Sequence, residues 1–464
     1  YLMPTRLWEI LTGAFLAFFL RDQGKIKYTN QVLNGWAGQI LAISGFALIL
    51  TAIFTFDEHT FFSGLNGLIP ILGTALVILF ASGKTWVGAL LGNKIFVGIG
   101  LISYSAYLWH HPLFAFARIR SAHEPGFLLM LFLSLLCLAL AYLTWKYVEQ
   151  PFRDRTRISR VAIARFAGVS IIGVMVLGLT GYVNGGFERR TAPSGVSFAQ
   201  LEMVTQRSFG LDGVCSYATF ATLPPCQTSD APEIVIWGDS FAMHLIPGII
   251  SSNPDAKIIQ MTKSYCGPIL GLAPTNGERP VPWAKECVEF NDQVIGWLKN
   301  NPSVRYVALG SPFDQYFGQS QYIQEKNAVV ADSDKELILA HFENTLATLA
   351  SMGVQPVIFA PPPADGQDVG ACLLMTAYEG NAATECRIKV SVYQEYRNDV
   401  IALLKAIGQK YPVIWFDDAL CDENFCNTAM DGIFLYADQG HFSVGGSRYI
   451  GQKMNFYQMI RQPE

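Results

Sequence analysis

A length of 464 residues allows two or three domains of ordinary size. Hydrophobic residues make up 51% of the chain and charged residues only 15%, well below the roughly 25% charged residues of soluble domains, which excludes a wholly soluble enzyme. The net charge of −4 leaves no general positive field to hold a phosphate backbone, so we expect no nucleic-acid partner.

Charge is divided unevenly along the chain. Of the 33 basic residues, 16 lie at or before Arg190, against 8 of the 37 acidic residues. A basic, apolar segment is therefore followed by an acidic one that is rich in Pro and Asp. This order indicates a region in the lipid bilayer joined to a domain in water.

Six apolar segments predict membrane-spanning helices. Five contain no Asp, Glu, Lys or Arg and are long enough to cross about 30 Å of hydrocarbon at 1.5 Å per residue, and a sixth carries one Glu in its first turn. A single run of this kind could be a buried core helix, but six in series cannot. The segments are Leu7–Leu20, Val32–Phe56, Thr60–Gly83, Ile95–Ala117, Pro125–Trp145 and Phe166–Phe187.

Basic residues between these segments predict the orientation. Loops rich in Lys and Arg alternate with loops that have few, and the richer set is expected in the cytoplasm. Everything after Asn184 then lies outside. The same rule puts Tyr1 outside, with no signal peptide to carry it there, so we expect that earlier spans precede this sequence.

Eight of the nine cysteines follow Asn184, on the side that the charge rule places outside. An even number in an oxidising compartment favours disulfides, whereas a zinc site is not expected because Cys-x2-Cys spacing and clustered His are absent. Pairing of nearest neighbours is one of 105 connectivities. It would join Cys215 with Cys226, Cys266 with Cys287, Cys372 with Cys386, and Cys421 with Cys426.

From about Ala231 onward, short β-rich runs alternate with helical stretches such as Asp334–Ser351 and Val392–Lys410. This alternation predicts an α/β domain with a mostly parallel sheet and helices on both faces. The predicted strands are Glu233–Trp237, Lys257–Thr262, Val304–Leu309, Gln355–Ala360 and Val413–Phe416.

Two short motifs point to nucleophilic catalysis. The first strand runs into Gly238-Asp239-Ser240, which puts a serine at the start of a helix, beside backbone N–H groups able to hold an oxyanion. By itself this motif is as easily a helix N-cap. Near the C-terminus, Asp438 precedes His441 by three residues, a spacing that lets its carboxylate bind Nδ1–H and leaves Nε2 to accept a serine proton.

Together these motifs resemble the SGNH hydrolase family, over about residues 231 to 464. The resemblance implies a three-layer α/β/α domain with Ser240 as nucleophile, His441 as base and Asp438 as its partner. It also implies oxyanion donors: the backbone of Ser240, a Gly after the second strand, here Gly267, and an Asn after the third strand, where Gly310 could offer its backbone N–H instead. The family's Asn donor is missing from Leu309-Gly310-Ser311-Pro312-Phe313-Asp314.

The membrane half carries motifs of a second family. The first nine residues, the run Tyr104-Ser105-Ala106-Tyr107-Leu108-Trp109-His110-His111-Pro112 and the run Val148-Glu149-Gln150-Pro151-Phe152-Arg153 resemble the acyltransferase-3 family of bacterial membrane O-acyltransferases. Some members continue into an extra span and an external SGNH domain. The expected divisions are the C-terminal part of the membrane core with about five helices (1–155), the extra helix (156–187), a linker (188–230) and the SGNH-like domain (231–464).

Polar residues at membrane depth are candidates for the membrane core's chemistry because burying them is costly. Arg6 and Glu9 lie three apart and could pair, or Arg6 could simply anchor the helix end at the interface. Tyr104, Trp109 and His110 fall in the acyltransferase-3 motif, although Trp109 and His110 also suit an aromatic belt.

The resemblance implies transfer of an acyl group, typically acetyl from cytoplasmic acetyl-CoA as donor substrate, to hydroxyls of a surface glycan such as lipopolysaccharide O-antigen. The protein would lie in the bacterial inner membrane with its C-terminal domain in the periplasm, and no bound cofactor or metal is expected. Two alternatives stay open: the outer domain is a glycan O-acetylesterase, or a non-catalytic glycan-binding module. In the latter, the candidate stacking residues are Trp237, Trp283, Tyr316 and Phe317.

Overall fold

The computed structural model describes residues 7–21, 36–56, 65–120, 125–153, 158–187, 192, 194–216, 219–330 and 335–462. The chain forms two compact units. One comprises residues 1–116 and 126–169, and the other comprises residues 117–125 and 170–464.

Apolar helices dominate the chain up to residue 183, as the uncharged segments predict. A π-helical turn at Trp145–Glu149 joins two of them. The helices are Leu7–Arg21, Trp36–Thr55, Leu65–Phe80, Trp86–Leu91, Lys94–Ile119, Phe127–Thr144, Gln150–Arg153 and Arg160–Val183.

Each of the six predicted spans overlaps one of these helices, and helix Arg160–Val183 begins six residues before the predicted Phe166. Within the described residues, three helical stretches are both long and apolar enough to cross a membrane: Trp36–Thr55, Phe127–Arg153 and Arg160–Val183. Leu7–Arg21 and Leu65–Phe80 are shorter, with 15 and 16 residues. Lys94–Ile119 is long enough, with 26 residues, but its His, Tyr and Ser side chains make it less apolar.

Two glycines let helices Trp36–Thr55 and Leu65–Phe80 pack closely. A Cβ atom added at Gly45 would lie 2.7 Å from the carbonyl oxygen of Gly73, and one added at Gly73 would lie 2.8 Å from that of Gly45. In lipid, where apolar side chains gain nothing by leaving water, such small residues allow the backbone contact that holds helices together.

The second unit is built on a five-stranded parallel sheet. Its strands, in spatial order, are β2 (Ile258–Thr262), β1 (Ile234–Gly238), β4 (Tyr306–Gly310), β7 (Gln355–Phe359) and β9 (Val413–Ile414). Its strands match the five predicted β-rich runs. Two- and three-stranded antiparallel pieces contain the remaining strands. In chain order, the strands are β1 (Ile234–Gly238), β2 (Ile258–Thr262), β3 (Leu272–Thr275), β4 (Tyr306–Gly310), β5 (Ser320–Ile323), β6 (Ala328–Val330), β7 (Gln355–Phe359), β8 (Ile388–Lys389), β9 (Val413–Ile414), β10 (Phe425–Cys426), β11 (Ala429–Met430) and β12 (Ile433–Phe434).

Helices cover both faces of this sheet. Val235 and Trp237 of β1 belong to one buried apolar cluster, whereas Ile234 and Ile236 belong to another, because successive side chains of a strand point to opposite faces. The predicted three-layer α/β/α fold is therefore confirmed. Its helices are Phe198–Val204, Ser240–Met243, Ile246–Ser252, Val281–Lys299, Lys335–Ser351, Val369–Glu379, Val390–Tyr396, Asn398–Ile407, Asp417–Leu420, Val444–Met454 and Phe456–Arg461.

Four disulfides join the eight cysteines that follow Asn184, in the nearest-neighbour order predicted from the sequence. They link Cys215 to Cys226, Cys266 to Cys287, Cys372 to Cys386, and Cys421 to Cys426. Each closes a short loop, of 5 to 21 residues in sequence separation. Such links stabilise the domain mainly by restricting its unfolded chain.

The predicted linker has regular structure and packs on the sheet domain. It contains helix Phe198–Val204, begun by a capping box at Ser197 and Gln200. Farther along, Gln227 forms a β-bridge with Ile259 of β2, and Arg207 forms an antiparallel bridge with Ser443. Part of this segment is thus an extension of the outer domain.

We predict that Gly45→Ala destabilises the membrane unit. Alanine normally stabilises a helix relative to glycine by about 0.5–1 kcal/mol, but here the added methyl meets a backbone carbonyl, at a cost of about 1–3 kcal/mol. The thermal unfolding midpoint of the detergent-solubilised protein should therefore fall.

The matched control is Gly178→Ala, where an added Cβ meets nothing within 4 Å. This substitution should leave the midpoint unchanged or raise it. If both alanine variants raise the midpoint equally, the two helices do not pack through these glycines.

Candidate active site

Two glycines allow the tight turn that carries Ser240 at the end of β1. Gly238 has a φ of +147°, and a Cβ there would lie 2.0 Å from the carbonyl oxygen of Gly310 on β4. A Cβ on Gly310 would in turn meet the backbone of Ala242 at 2.9 Å. Helix Ser240–Met243 therefore sits directly on the carboxyl end of the sheet, with Ser240 at its first position.

A tight loop carries the histidine to the same sheet edge. Tyr436 and Phe442 form an antiparallel bridge, and the N–H of Ala437 donates to the carbonyl of His441 at 2.9 Å. The buried rings of Tyr436 and Phe442 anchor the base of the loop in the apolar core. Ser443 then caps helix Val444–Met454 through the N–H of Gly446.

Ser240, His441 and Asp438 form one hydrogen-bonded line. Nε2 of His441 lies 2.8 Å from Ser240 Oγ, and Nδ1 lies 2.9 Å from both carboxylate oxygens of Asp438. An ionised Asp438 can only accept, so Nδ1 carries the proton and the lone pair of Nε2 faces the serine. This is the arrangement by which a histidine activates a serine nucleophile.

Asp438 is held in its charged form. Its partial burial opposes ionisation, but the hydrogen bond and charge of His441, together with the N–H groups of His441 and Gly440, outweigh that cost and hold the pKa of the carboxyl well below its usual range. The histidine ring is therefore fixed by a partner that stays negative at any physiological pH.

The sheet domain that carries these residues matches a known family. Residues 209–455, just over half of the chain, match the model described as "SGNH domain (fused to AT3 domains)". The chain belongs to this SGNH domain family. The match begins about twenty residues before the Ala231 boundary predicted from the sequence, and it includes both Ser240 and His441.

Relatives of the SGNH chain include "Putative O-acetyltransferase SACOL0978" of Staphylococcus aureus strain COL and "Putative O-acetyltransferase SAS0844" of strain MSSA476. Each is 29% identical over 114 residues, which cover 24% of this chain and 19% of the relative. The aligned part thus spans about a fifth of these relatives' length. A solved structure, the periplasmic domain of a lipopolysaccharide acetyltransferase from Salmonella ser. Paratyphi A, aligns with a TM-score of 0.37 and 18% identity over 50% of this chain and 86% of that one.

The line of three residues opens into a cleft of about 530 Å³. Of the predicted oxyanion donors, Ser240 lines this cleft, but Gly267 and Gly310 do not. A Cβ on Gly267 would meet the buried Tyr316 hydroxyl at 2.7 Å, and Gly310 lies beneath the nucleophile's helix. Both glycines pack closely against their neighbours, and neither is among the residues that line the cleft.

An arginine that no sequence motif marks reaches the cleft from the segment before the sheet. Nη2 of Arg207 lies 3.1 Å from Nε2 of His441, and Nη1 lies 3.9 Å from Oδ2 of Asp438. Its backbone is held in place because the N–H of Val444 donates to the carbonyl of Gln206 at 2.9 Å. Arg207 precedes the residues matched by the family model.

A second histidine packs behind the loop that carries His441. His244 is buried, and its Nδ1 accepts a hydrogen bond from the N–H of Phe442 at 3.2 Å. Burial comes first, followed by the charge that His441 carries when it is protonated and by the charge of Arg207, and together they hold the pKa of His244 well below its usual range. A neutral imidazole is the form that can accept this hydrogen bond, so His244 positions the loop that carries His441.

Asp239 is buried beneath the nucleophile. It caps helix Ser240–Met243 through the N–H of Phe241 at 2.9 Å and accepts from Ser311 Oγ at 2.6 Å. Burial and the nearby charge of Asp314 raise the pKa of Asp239 to about 7, although hydrogen bonds from Ser311, Phe241 and Gln315 oppose this rise. Ionisation of Asp239, the residue just before Ser240, therefore costs free energy in the folded protein.

Of the four predicted glycan-stacking residues, Trp283 and Phe317 are half-buried and stay candidates, whereas the other two need correction. Trp237 and Tyr316 are fully buried in the core, because they lie on a central strand and on the turn that follows β4. The aromatic rings that line the cleft are instead Phe241, Tyr265 and Tyr396. Tyr265 is exposed, and the Arg279 guanidinium lies 3.7 Å from its ring centroid.

The candidate residues of the membrane unit lie far in the sequence from Ser240, Asp438 and His441, and those with described side chains make contacts within their own unit. Trp109 Nε1 donates to Thr144 Oγ1 at 2.9 Å, His110 Nδ1 lies 2.6 Å from the carbonyl of Tyr107, and Tyr104 is exposed on the same helix. Glu9 lies in helix Leu7–Arg21, in a position where the structure describes the backbone alone, and Arg6 falls outside the described residues.

We predict that Asp239→Asn makes the outer domain less sensitive to rising pH. An unfolded Asp has a pKa of about 3.9, so between pH 4 and pH 7 folded Asp239 keeps a proton that the unfolded chain has lost. Stability should fall as pH rises, by at most about 4 kcal/mol, and the uncharged Asn should remove this loss.

The measurement is the free energy of unfolding of the outer domain in the intact chain, followed by tryptophan fluorescence at pH 5 and pH 8. Only the difference between variant and wild type is compared, since His244 gives an opposite slope in both proteins. An identical dependence on pH in the two proteins would contradict a raised pKa at Asp239.

Proposed function

We propose that this chain is part of a membrane O-acyltransferase that transfers acetyl, from cytoplasmic acetyl-CoA as the first donor, to hydroxyls of a surface glycan such as lipopolysaccharide O-antigen. Its sheet domain acts in the periplasm, next to a bacterial inner membrane. The observation that carries the proposal is the line from Ser240 through His441 to Asp438. The membrane helices and the names of the relatives point to the same reaction.

The geometry supports a two-step transfer. Ser240 Oγ attacks the acyl carbonyl of a donor delivered on the outer face while His441 Nε2 takes its proton, and collapse of the intermediate leaves an acyl-serine. A glycan hydroxyl then attacks this ester and gives its proton to His441. Asp438, held negative, stabilises the imidazolium that forms in both steps.

Water could replace the glycan hydroxyl in the second step. The same three residues would then remove acetyl groups from the glycan, and a third reading keeps the domain only as a glycan-binding module. The transferase is favoured because an activated serine is present at 2.8 Å from its base, which binding alone does not require, and because apolar helices precede the domain in the same chain.

We predict that Ser240→Ala in the full-length protein abolishes glycan O-acetylation. Without Oγ no acyl-serine forms, so acetyl content should fall to that of cells lacking the protein. The measurement is the number of O-acetyl groups per repeat of the purified polysaccharide, by proton NMR.

The control is Ser351→Ala, an exposed serine at the end of a helix whose hydroxyl bonds only to the carbonyl of Thr348 among described residues. It should leave acetylation unchanged. A rise in acetyl content with Ser240→Ala would identify an esterase instead, and an unchanged content would remove Ser240 from the transfer.

A further inference from the structure

Arg207 competes with Ser240 for a single lone pair. Because Nδ1 of His441 donates to Asp438, Nε2 offers one acceptor site, and both Ser240 Oγ at 2.8 Å and Arg207 Nη2 at 3.1 Å lie within reach of it. A guanidinium can only donate. The N–H of Arg207 therefore occupies part of the position that the serine proton must take.

This contact cannot persist during the reaction. When Nε2 accepts the proton of Ser240, the N–H groups of Arg207 and His441 would face each other with two positive charges. Like charges at this separation are unfavourable, so the guanidinium must turn to another acceptor. The same step creates one new negative charge, on the former carbonyl oxygen, attached to the carbon that has bonded to Ser240 Oγ.

We infer that Arg207 is the donor that binds the acyl carbonyl oxygen and then the oxyanion. The Arg207 side chain is 41% exposed in the cleft, which leaves room for this turn, and its fork of N–H groups suits an anionic oxygen. Arg207 would supply a hydrogen-bond donor that the site otherwise lacks. The Asn donor typical of SGNH enzymes is missing, and neither Gly267 nor Gly310 lines the cleft.

The step that Arg207 assists is balanced without any further reactant. Ser240 Oγ bonds to the carbonyl carbon of an acyl ester or thioester, its proton passes to His441 Nε2, and the C=O π electrons move onto oxygen beside Arg207. Collapse restores the carbonyl and expels the donor's alkoxide or thiolate, which takes the proton from His441. Arg207 keeps all its protons throughout.

The inference rests on the proposed function, so the test separates the two. Intact protein in detergent is treated with a fluorophosphonate, which phosphonylates an activated serine and places a P–O oxygen where the oxyanion would lie. Labelling of Ser240 is followed by mass spectrometry in wild type, Arg207→Gln, Arg207→Lys and the control Arg448→Gln, which changes an exposed arginine on helix Val444–Met454.

We expect Arg207→Gln to slow labelling at least tenfold. Loss of an oxyanion donor lowers rates about 10²- to 10³-fold. Charged hydrogen bonds contribute factors of about 10 to 150, and the contact of Arg207 with Nε2, at 3.1 Å and partly exposed to water, belongs at the weak end, so freeing Nε2 should raise rates only about tenfold. Millimolar guanidinium ion should restore part of the rate, a rescue that a merely structural role would not show. Arg207→Lys should lie between wild type and Arg207→Gln, and Arg448→Gln should match wild type.

Two outcomes would overturn the inference in different ways. Unchanged or faster labelling of Arg207→Gln, in protein with a wild-type melting temperature, would remove Arg207 as the donor while leaving Ser240 as nucleophile. If wild-type Ser240 is not labelled at all, the proposed nucleophile fails, and the role of Arg207 fails with it.

Discussion

The hydrogen bond between His441 and Asp438 determines what the rest of the site can do. It keeps the proton on Nδ1, so that a lone pair on Nε2 is directed at Ser240. The backbone N–H groups of Gly440 and His441 bind the same carboxylate and keep it charged. Because Asp438 lies only three residues before His441, one short loop supplies both partners of this hydrogen bond.

The serine depends on a different constraint, which belongs to the sheet. Gly238 and Gly310 are register partners on β1 and β4, and neither can carry a side chain without striking the neighbouring backbone. Their small size brings the nucleophile's helix down onto the strand ends, where the histidine loop can reach it. Buried Asp239 and His244 then hold the helix and the loop from behind.

The segment before the sheet completes the cleft. Its bridges to β2 and to Ser443 make it part of the domain, and it delivers Arg207 to the one nitrogen that the serine also needs. The segment between the end of the apolar helix at Val183 and the first strand of the sheet thus contributes Arg207 to the site. The cleft is therefore lined by a residue that precedes the family match as well as by residues within it.

Much of this architecture could be predicted from local patterns. Uncharged apolar runs predicted the membrane helices, β-rich runs predicted the strand positions, and the short spacings of the cysteines favoured the pairings that the structure has. Ser240, Asp438 and His441 were recognisable because the Asp–His pair is local and the serine follows a strand directly. The three-layer order also followed, since parallel strands need helical crossovers on both faces.

Other features required the folded chain, because they join residues far apart in the sequence without a motif of their own. Arg207 meets His441 across 234 residues, and the packing roles of Gly267 and Gly310 depend on which neighbours fill the space beside them. Burial likewise decided that Trp237 and Tyr316 belong to the core. The sequence by itself determined the membrane helices, the strands of the sheet and the local Asp–His pair. Tertiary packing alone decided which side chains share the cleft, because the sheet, and not spacing along the chain, brings those residues together.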